Sequence, residues 1–371
     1  MKTIAIFNNK GGVGKTTITT MLGYMLSLTN KRVLVIDLDP QSNTTQAVMS
    51  DEQIASIYDD TNEVTRTKTI LDILEPIRDT NEAKIGHVKG TILKSKKHAF
   101  LFDLIPSNLQ LSRIEDTLSR AWDDVKGSNL GGFRRTNWLN QLLDQIKKQY
   151  DYVLIDLSPS LGALNRSVML NTDYFIVPIT GDVYNKYGIR NIGPWISEWL
   201  KIYNRGLRFL QDDYSNDVIE LHRINTSVDE NNFKKLAGVI KNRVKYSKTK
   251  SDTVRPISYQ PNRKKIISYQ SNFFDQINVS FKDAKDGLGF AISNEISDSL
   301  YLGEIAEINS LLTEAQGKNL PVVARVVAAR VSGDSWDKYS PENAEYAIFQ
   351  TFNGIVELLE ENLTKLESKN D

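Results

Sequence analysis

The chain has no cysteine among its 371 residues. Disulfides, thiol nucleophiles, iron–sulfur clusters and thiolate zinc sites are thereby excluded together. An excess of either charge is missing too, since 46 Lys and Arg balance 46 Asp and Glu. A molecule without a net field has no reason to adhere as a whole to a polyanion or an anionic membrane. Any such attraction has to come from a local patch. Apolar runs are no longer than a strand, against the ~20 residues that a membrane span needs. Met1 to Phe7 lack the charged, apolar and small-residue succession of a secretory leader. The expectation is a soluble protein of a reducing, cytoplasmic compartment.

What is present is a recurrence. Short apolar runs, each followed by a turn and a helix-like stretch, occur at Thr3 to Phe7, Arg32 to Ile36, Phe100 to Ile105, Tyr152 to Ile155, Tyr174 to Val177 and Leu236 to Ile240. Near-continuous Val, Ile and Leu suit strands of a parallel sheet covered on both faces. Helical segments such as Thr16 to Leu28 and Trp138 to Lys148 lie between them. The alternation predicts an α/β fold, a doubly wound, mostly parallel sheet with helices on both faces. Polar, weakly patterned stretches at about 50–97, 203–235 and 246–299 are expected to be surface insertions on a single domain spanning 1–371. From Asn343 to Leu366, apolar residues near helical spacing (Ile348, Phe352, Ile355, Leu358, Leu359, Leu363, Leu366) predict a closing helix.

In such a sheet, ligands sit at the carboxyl ends of the strands, so the residues just after each strand carry the chemistry. After the first comes Asn8-Asn9-Lys10-Gly11-Gly12-Val13-Gly14-Lys15-Thr16-Thr17. Glycines let backbone N–H groups approach phosphate oxygens without a Cβ in the way. A lysine meets the β- and γ-phosphates, and a hydroxyl ligates Mg²⁺. Gly14, Lys15 and Thr16 supply those positions, and the helix that follows adds its N-terminal dipole. Asn9 stands where the ordinary pattern has a glycine, and a second lysine, Lys10, follows it. A plain Gly-rich turn would need the strand, loop, Lys-Thr pair and helix to coincide by chance. The loop therefore implies a nucleotide site.

Two further strands end in carboxylates. Arg32 to Ile36 runs into Asp37-Leu38-Asp39-Pro40-Gln41, and Tyr152 to Ile155 runs into Asp156. Carboxylates at strand ends beside a phosphate loop suit Mg²⁺ binding and control of an attacking water. Turn-forming aspartates before a proline, or a helix cap in the case of Asp156, would look the same in isolation.

Together these segments resemble the ParA/MinD family of phosphate-loop ATPases with a deviant loop, Lys-Gly-Gly-Val-Gly-Lys-Thr-Thr. The resemblance implies ATP and Mg²⁺ as cofactors and nucleotide contacts by Lys10 through Thr17, namely Lys10, Gly11, Gly12, Val13, Gly14, Lys15, Thr16 and Thr17. It makes Lys10, Lys15 and Asp39 the catalytic set, with Lys10 reaching across an ATP-bound homodimer to the partner's phosphates. Asp39 positions or activates the water, while Thr16, Asp37 and Asp156 attend the metal. Gly238-Val239-Ile240-Lys241-Asn242-Arg243 is similar to the strand whose asparagine reads adenine, so Asn242 takes that role. The family's Ile-Pro-Arg is not recognisable around Leu302-Gly303-Glu304-Ile305. Looser matches follow in order at Leu104 to Asn108, Val177 to Ile179, Tyr187 to Asn191 and Leu311 to Pro321.

Within that family, nitrogenase-type reductases and arsenite ATPases need cysteines, and there are none. The MinD branch needs a basic amphipathic tail, whereas Glu357, Glu360, Glu361, Glu367 and Asp371 here oppose only Lys365 and Lys369. No membrane partner is expected. The loop starts at Lys10, which leaves no room ahead of it for the DNA-binding domain of larger plasmid members. A shorter, Soj-like mode remains, with nonspecific DNA as a track and a ParB-like or cargo-bound activator. The basic stretch Lys241, Arg243, Lys245, Lys248, Lys250, Arg255, Arg263, Lys264 and Lys265, with Tyr246 and Tyr259 interleaved, is the candidate DNA contact. It would make the protein nucleoid-associated. As a solvated loop the same stretch would leave a second function open, a nucleotide-gated switch that recruits a protein and ignores DNA.

Overall fold

The computed structural model describes residues 1–59, 65–79, 84–229, 232–246, 266–283, 287–332 and 344–368. Six strands form at the apolar runs: β1 (Lys2–Ile6), β2 (Val33–Leu38), β3 (Asp103–Ile105), β4 (Tyr152–Leu157), β5 (Tyr174–Thr180) and β6 (Leu236–Val244). A seventh, β7 (Tyr301–Ala306), falls where the apolar pattern predicts no strand. Gly303 and Glu304 interrupt its apolar run, and only Leu302 and Ile305 are buried. An edge strand, paired on one side, tolerates that pattern.

The sheet order is β3-β2-β4-β1-β5-β6-β7, and every pairing between these strands is parallel. From β1 the chain crosses to β2 on one side and later returns through β5 on the other, which makes β1 the switch point. The crossover helix after β1, α1, spans Lys15–Leu28.

Successive strand residues feed opposite faces. In β2, Leu34, Ile36 and Leu38 join one apolar cluster while Val33 and Val35 join the other. Phe175, Val177 and Ile179 of β5 divide from Tyr174 and Ile176 in the same way. This period of two, with both faces apolar, is why the runs look continuous in sequence. The helices Ser112–Lys126, Trp138–Ile146, Ala163–Asn171 and Val183–Asp213 cover the first face through Leu118, Trp138, Val168 and Trp199. α1 and the closing helix, Ala344–Glu367, cover the second through Ile18, Leu22, Phe352 and Leu359.

All three stretches expected as surface insertions contribute to these cores, the third through Phe274, Ile277 and Phe281 of the helix Ser268–Lys282. Ile70, Ile73, Leu74 and Ile77 of the helix Ile70–Asp79 are buried, as are Tyr203, Leu207 and Leu210 in the last turns of Val183–Asp213. Their apolar residues are spaced for one helical face among charged neighbours, which dilutes the pattern in sequence.

One polar residue fastens the closing helix. Asn362 is fully buried, and its amide donates to the carbonyls of Ala237 and Ser299, both at 3.0 Å. Its oxygen accepts from the Ser299 hydroxyl at 2.5 Å. Asn362→Ala leaves those groups without partners, and urea unfolding is expected to show a loss of about 2 kcal/mol. A loss under about 0.5 kcal/mol would mean that apolar packing alone docks the helix.

Candidate nucleotide-binding site

Six strands deliver side chains to one place at their carboxyl ends. β1 leads into the loop that ends at Gly14, where α1 begins. Gly12 (φ 75°) and Gly14 (φ 88°) hold left-handed backbone that a side chain would strain. At Gly14 a second constraint applies, because a Cβ there would stand 2.0 Å from the Asn242 amide nitrogen. That amide donates to the Val13 carbonyl at 2.8 Å, so the end of β6 braces the loop. Lys15 is 7% exposed, and its ammonium donates to the carbonyls of Asn8 and Lys10, both at 3.2 Å. Burial lowers its pKa, against the pull of Asp156 and Asp39. Thr17 opens with Thr16 onto a shallow cleft walled by Met21, Phe100, Leu312 and Pro321.

The carboxylates meet because β2 and β4 are in register, with Asp37 opposite Asp156. Asp156 Oδ2 accepts from the Thr16 hydroxyl at 2.9 Å and from the Thr44 hydroxyl at 2.7 Å. Its other oxygen, Oδ1, is buried without a hydrogen-bond partner among the described residues. A buried acceptor left open beside a threonine hydroxyl fits a hard divalent cation such as Mg²⁺.

Asp37 is placed differently from the expectation that it attends the metal. Its Oδ2 accepts from Thr45 N at 2.8 Å and Thr45 Oγ1 at 2.7 Å, and its Oδ1 accepts from Asp39 N at 3.1 Å. Both oxygens are thus committed to the turn that carries Asp39. Burial and the neighbouring Asp156 push the Asp37 pKa well above the carboxylate range, and burial raises that of Asp156. Asp39 is 6% exposed and accepts from Gln41 N at 2.9 Å. The Ser107 hydroxyl, just after β3, donates to the Asp39 carbonyl at 2.8 Å.

Lys10 lies at the loop's rim, and its ammonium contacts both oxygens of Asp182 at 2.7 Å. Of the candidate DNA contacts, Lys241 pairs with Glu304 at 2.9 Å and Lys245 with Glu307 at 3.4 Å. Arg243 is exposed, in a left-handed bulge (φ 54°) that turns Asn242 inward. Lys248, Lys250, Arg255, Arg263, Lys264 and Lys265 lie outside the described residues.

Thr44, Ser107 and Asp182 are absent from the residues singled out by sequence. The rule that inspects the positions just after each strand reaches Ser107 and Asp182. Thr44 carries no such signal, as it lies in the helix Asn43–Val48 beyond the aspartate turn.

A parallel sheet with a glycine loop and lysine after its switch-point strand defines a phosphate-loop NTPase fold. The chain belongs to the AAA-domain family, whose model matches residues 1–209, and within it the chain is ParA/Soj-like. It is 31% identical over 195 residues to the sporulation initiation inhibitor protein Soj of Bacillus subtilis, covering 52% of this chain and 63% of that protein. With the virulence plasmid ParA family protein pGP5-D of Chlamydia psittaci it shares 30% identity over 198 residues, 53% of this chain and 64% of the other. The chain thus spans less than two-thirds of the length of these relatives. The crystal structure of protein DIP2308 from Corynebacterium diphtheriae superposes with a TM-score of 0.67 at 28% identity, covering 90% of this chain and 100% of that one.

The raised carboxylate pKa values have a consequence for stability. Between the unfolded value of 3.8 and the raised folded value, the folded chain binds more protons than the unfolded chain, so stability falls as pH rises. In magnesium-free buffer, the unfolding free energy is expected to decline from about pH 5 to about pH 8. Asp37→Asn, which has no charge to bury, is expected to flatten the decline and to be the more stable form at the upper end. A wild-type profile that rises over this range, with the variant parallel to it, would contradict the shifts.

Proposed function

We propose that the chain is a ParA-type ATPase that binds ATP with Mg²⁺, dimerises around it and is reset by slow hydrolysis. Its work is DNA partition or cargo positioning through nonspecific DNA and a ParB-like or cargo-bound activator. The carrying observation is the different placement of the two loop lysines. Lys15 is buried beneath the loop, whereas Lys10 stands at the rim with its side chain 26% exposed. One lysine serves the chain's own phosphates, and the other, at the rim, is placed to serve those of a partner. Coupling the reaction to dimerisation follows, because a monomer lacks part of the positive charge that stabilises the transition state.

In this reading Thr16 and Asp156 Oδ1 hold the cation, which when bound offsets phosphate charge. Asp37 fixes the turn, and Asp39 orients the attacking water. Asn242 braces Val13 through its amide nitrogen and offers its oxygen to the adenine amino group. The cytoplasm is the proposed setting, with association to the nucleoid through DNA. Among the described residues no helix is long and apolar enough to cross a membrane.

One observation favours a second reading, a nucleotide-gated switch that recruits protein and ignores DNA. Lys241 and Lys245 already have carboxylate partners in Glu304 and Glu307. Sedimentation with and without duplex DNA, in ATP or ADP and at two salt concentrations, separates the readings. The partition reading expects an ATP-dependent dimer that Asp39→Ala traps on DNA and that salt releases. A dimer that leaves DNA unbound at low salt selects the protein-recruiting switch. No dimer in ATP contradicts both.

A further inference from the structure

Asp182 is placed to compete for Lys10. It follows β5 and caps the helix Val183–Asp213, with Oδ1 accepting from Tyr184 N at 3.0 Å and Asn185 N at 3.2 Å. Its Oδ2 accepts from the Thr180 hydroxyl at 2.6 Å. With Asn185 Nδ2 also reaching Oδ2 at 3.4 Å, four donors fix this carboxylate without help from Lys10. The lysine's backbone is also preset, since Lys10 N donates to Asn8 Oδ1 at 2.9 Å. Asn8, fully buried, ties the loop to the same helix through Asn185 Oδ1 at 3.1 Å and to the Pro178 carbonyl at 2.7 Å. Between these two anchored ends, the ammonium contacts both Asp182 oxygens at 2.7 Å, reaches Thr180 Oγ1 at 3.4 Å and lies 5.7 Å from the Tyr184 ring centre.

We infer that Asp182 is an intramolecular latch that holds Lys10 at home and sets how readily the chain dimerises on ATP. The inference rests on the reading that Lys10 serves a partner's phosphates. A lysine cannot occupy Asp182 and a second chain's phosphates at once, so each dimerising encounter requires the latch to open. Apparent affinity for the partner is then the intrinsic affinity reduced by the fraction of chains with Lys10 released. Side-chain exposures of 26% and 27% keep the pair in reach of water, so it can open without stranding a buried charge. The first turn of the capped helix exposes Tyr184, so whatever docks on this face meets the latch directly.

Asp182→Asn tests this, because asparagine caps a helix as well as aspartate does but carries no charge for the ammonium. Two readouts are used. The first is the acylation rate of Lys10 in nucleotide-free protein, followed by mass spectrometry with an N-hydroxysuccinimide acetate reagent. The second is the protein concentration for half-dimerisation in ATP, measured for wild type, Asp182→Asn, Lys10→Ala and the double variant. Asp182→Asn is expected to speed labelling of Lys10 and to lower the dimerisation midpoint by about three-fold, the scale of a part-exposed ion pair. In the Lys10→Ala background, where no dimer is expected, the same substitution should not restore one. Unchanged labelling and midpoint in Asp182→Asn, with Lys10→Ala abolishing the dimer, would overturn the latch and leave the reading of Lys10 intact. A dimer restored by the substitution without Lys10 would overturn it too, placing the effect in the helix. If Lys10→Ala dimerises like wild type, the reading of Lys10 itself fails and the latch with it.

Discussion

The structure depends on burying two carboxylates side by side. Register between β2 and β4 sets Asp37 opposite Asp156, and both are essentially out of water. Neighbouring negative charges in a low-dielectric setting are costly unless hydrogen bonds or cations answer them. The surroundings answer them unequally. Asp37 is satisfied by Thr45 and by the backbone of Asp39, so its charge is spent on the geometry of the turn. Asp156 Oδ2 accepts from Thr16 and Thr44, and Oδ1 is buried without a partner among the described residues. Nearby Lys15 supplies positive charge, although its own burial lowers its pKa. The pair thus divides the labour, one member structural and one open to a ligand.

Around that core the fold acts as a frame. Strands of a parallel sheet end together, so loops distant in sequence converge without long connections. β1 contributes the loop, β2 the aspartate turn, β4 Asp156, β5 the Thr180–Asp182 corner and β6 the Asn242 brace. Gly14 is fixed twice over, by its left-handed backbone and by the Asn242 amide against it. The β6 bulge that turns Asn242 inward is the same feature that leaves Arg243 outside.

The placement of the Lys10 to Thr17 loop, Asp39 and Asp156 at the carboxyl ends of β1, β2 and β4 was legible in the sequence, because each rests on local order, an apolar run and then a spaced set of residues. The closing helix was legible for the same reason, down to Phe352, Ile355 and Leu359 in the core. What stayed hidden are the contacts that close the site. Asn242 meets Val13 across 229 residues, Lys10 meets Asp182 across 172, and Thr44 meets Asp156 across 112. No spacing rule encodes partners so far apart, since their meeting depends on strand order. β7 was hidden because an edge strand needs so little apolar content, and the hydrogen bonds of Asp37 to Thr45 and to Asp39 N because an aspartate facing metal and one holding a turn share one local pattern.

The central claim is that the open oxygen of Asp156, with Thr16, makes this a magnesium-dependent nucleotide site. Calorimetric titration with ATP, in Mg²⁺ and again in a chelator, measures it for wild type and Asp156→Asn. Mg²⁺ is expected to tighten ATP binding to wild type by at least about ten-fold, or 1.4 kcal/mol, and scarcely to alter the variant. Equal affinities in wild type with and without the cation would contradict it.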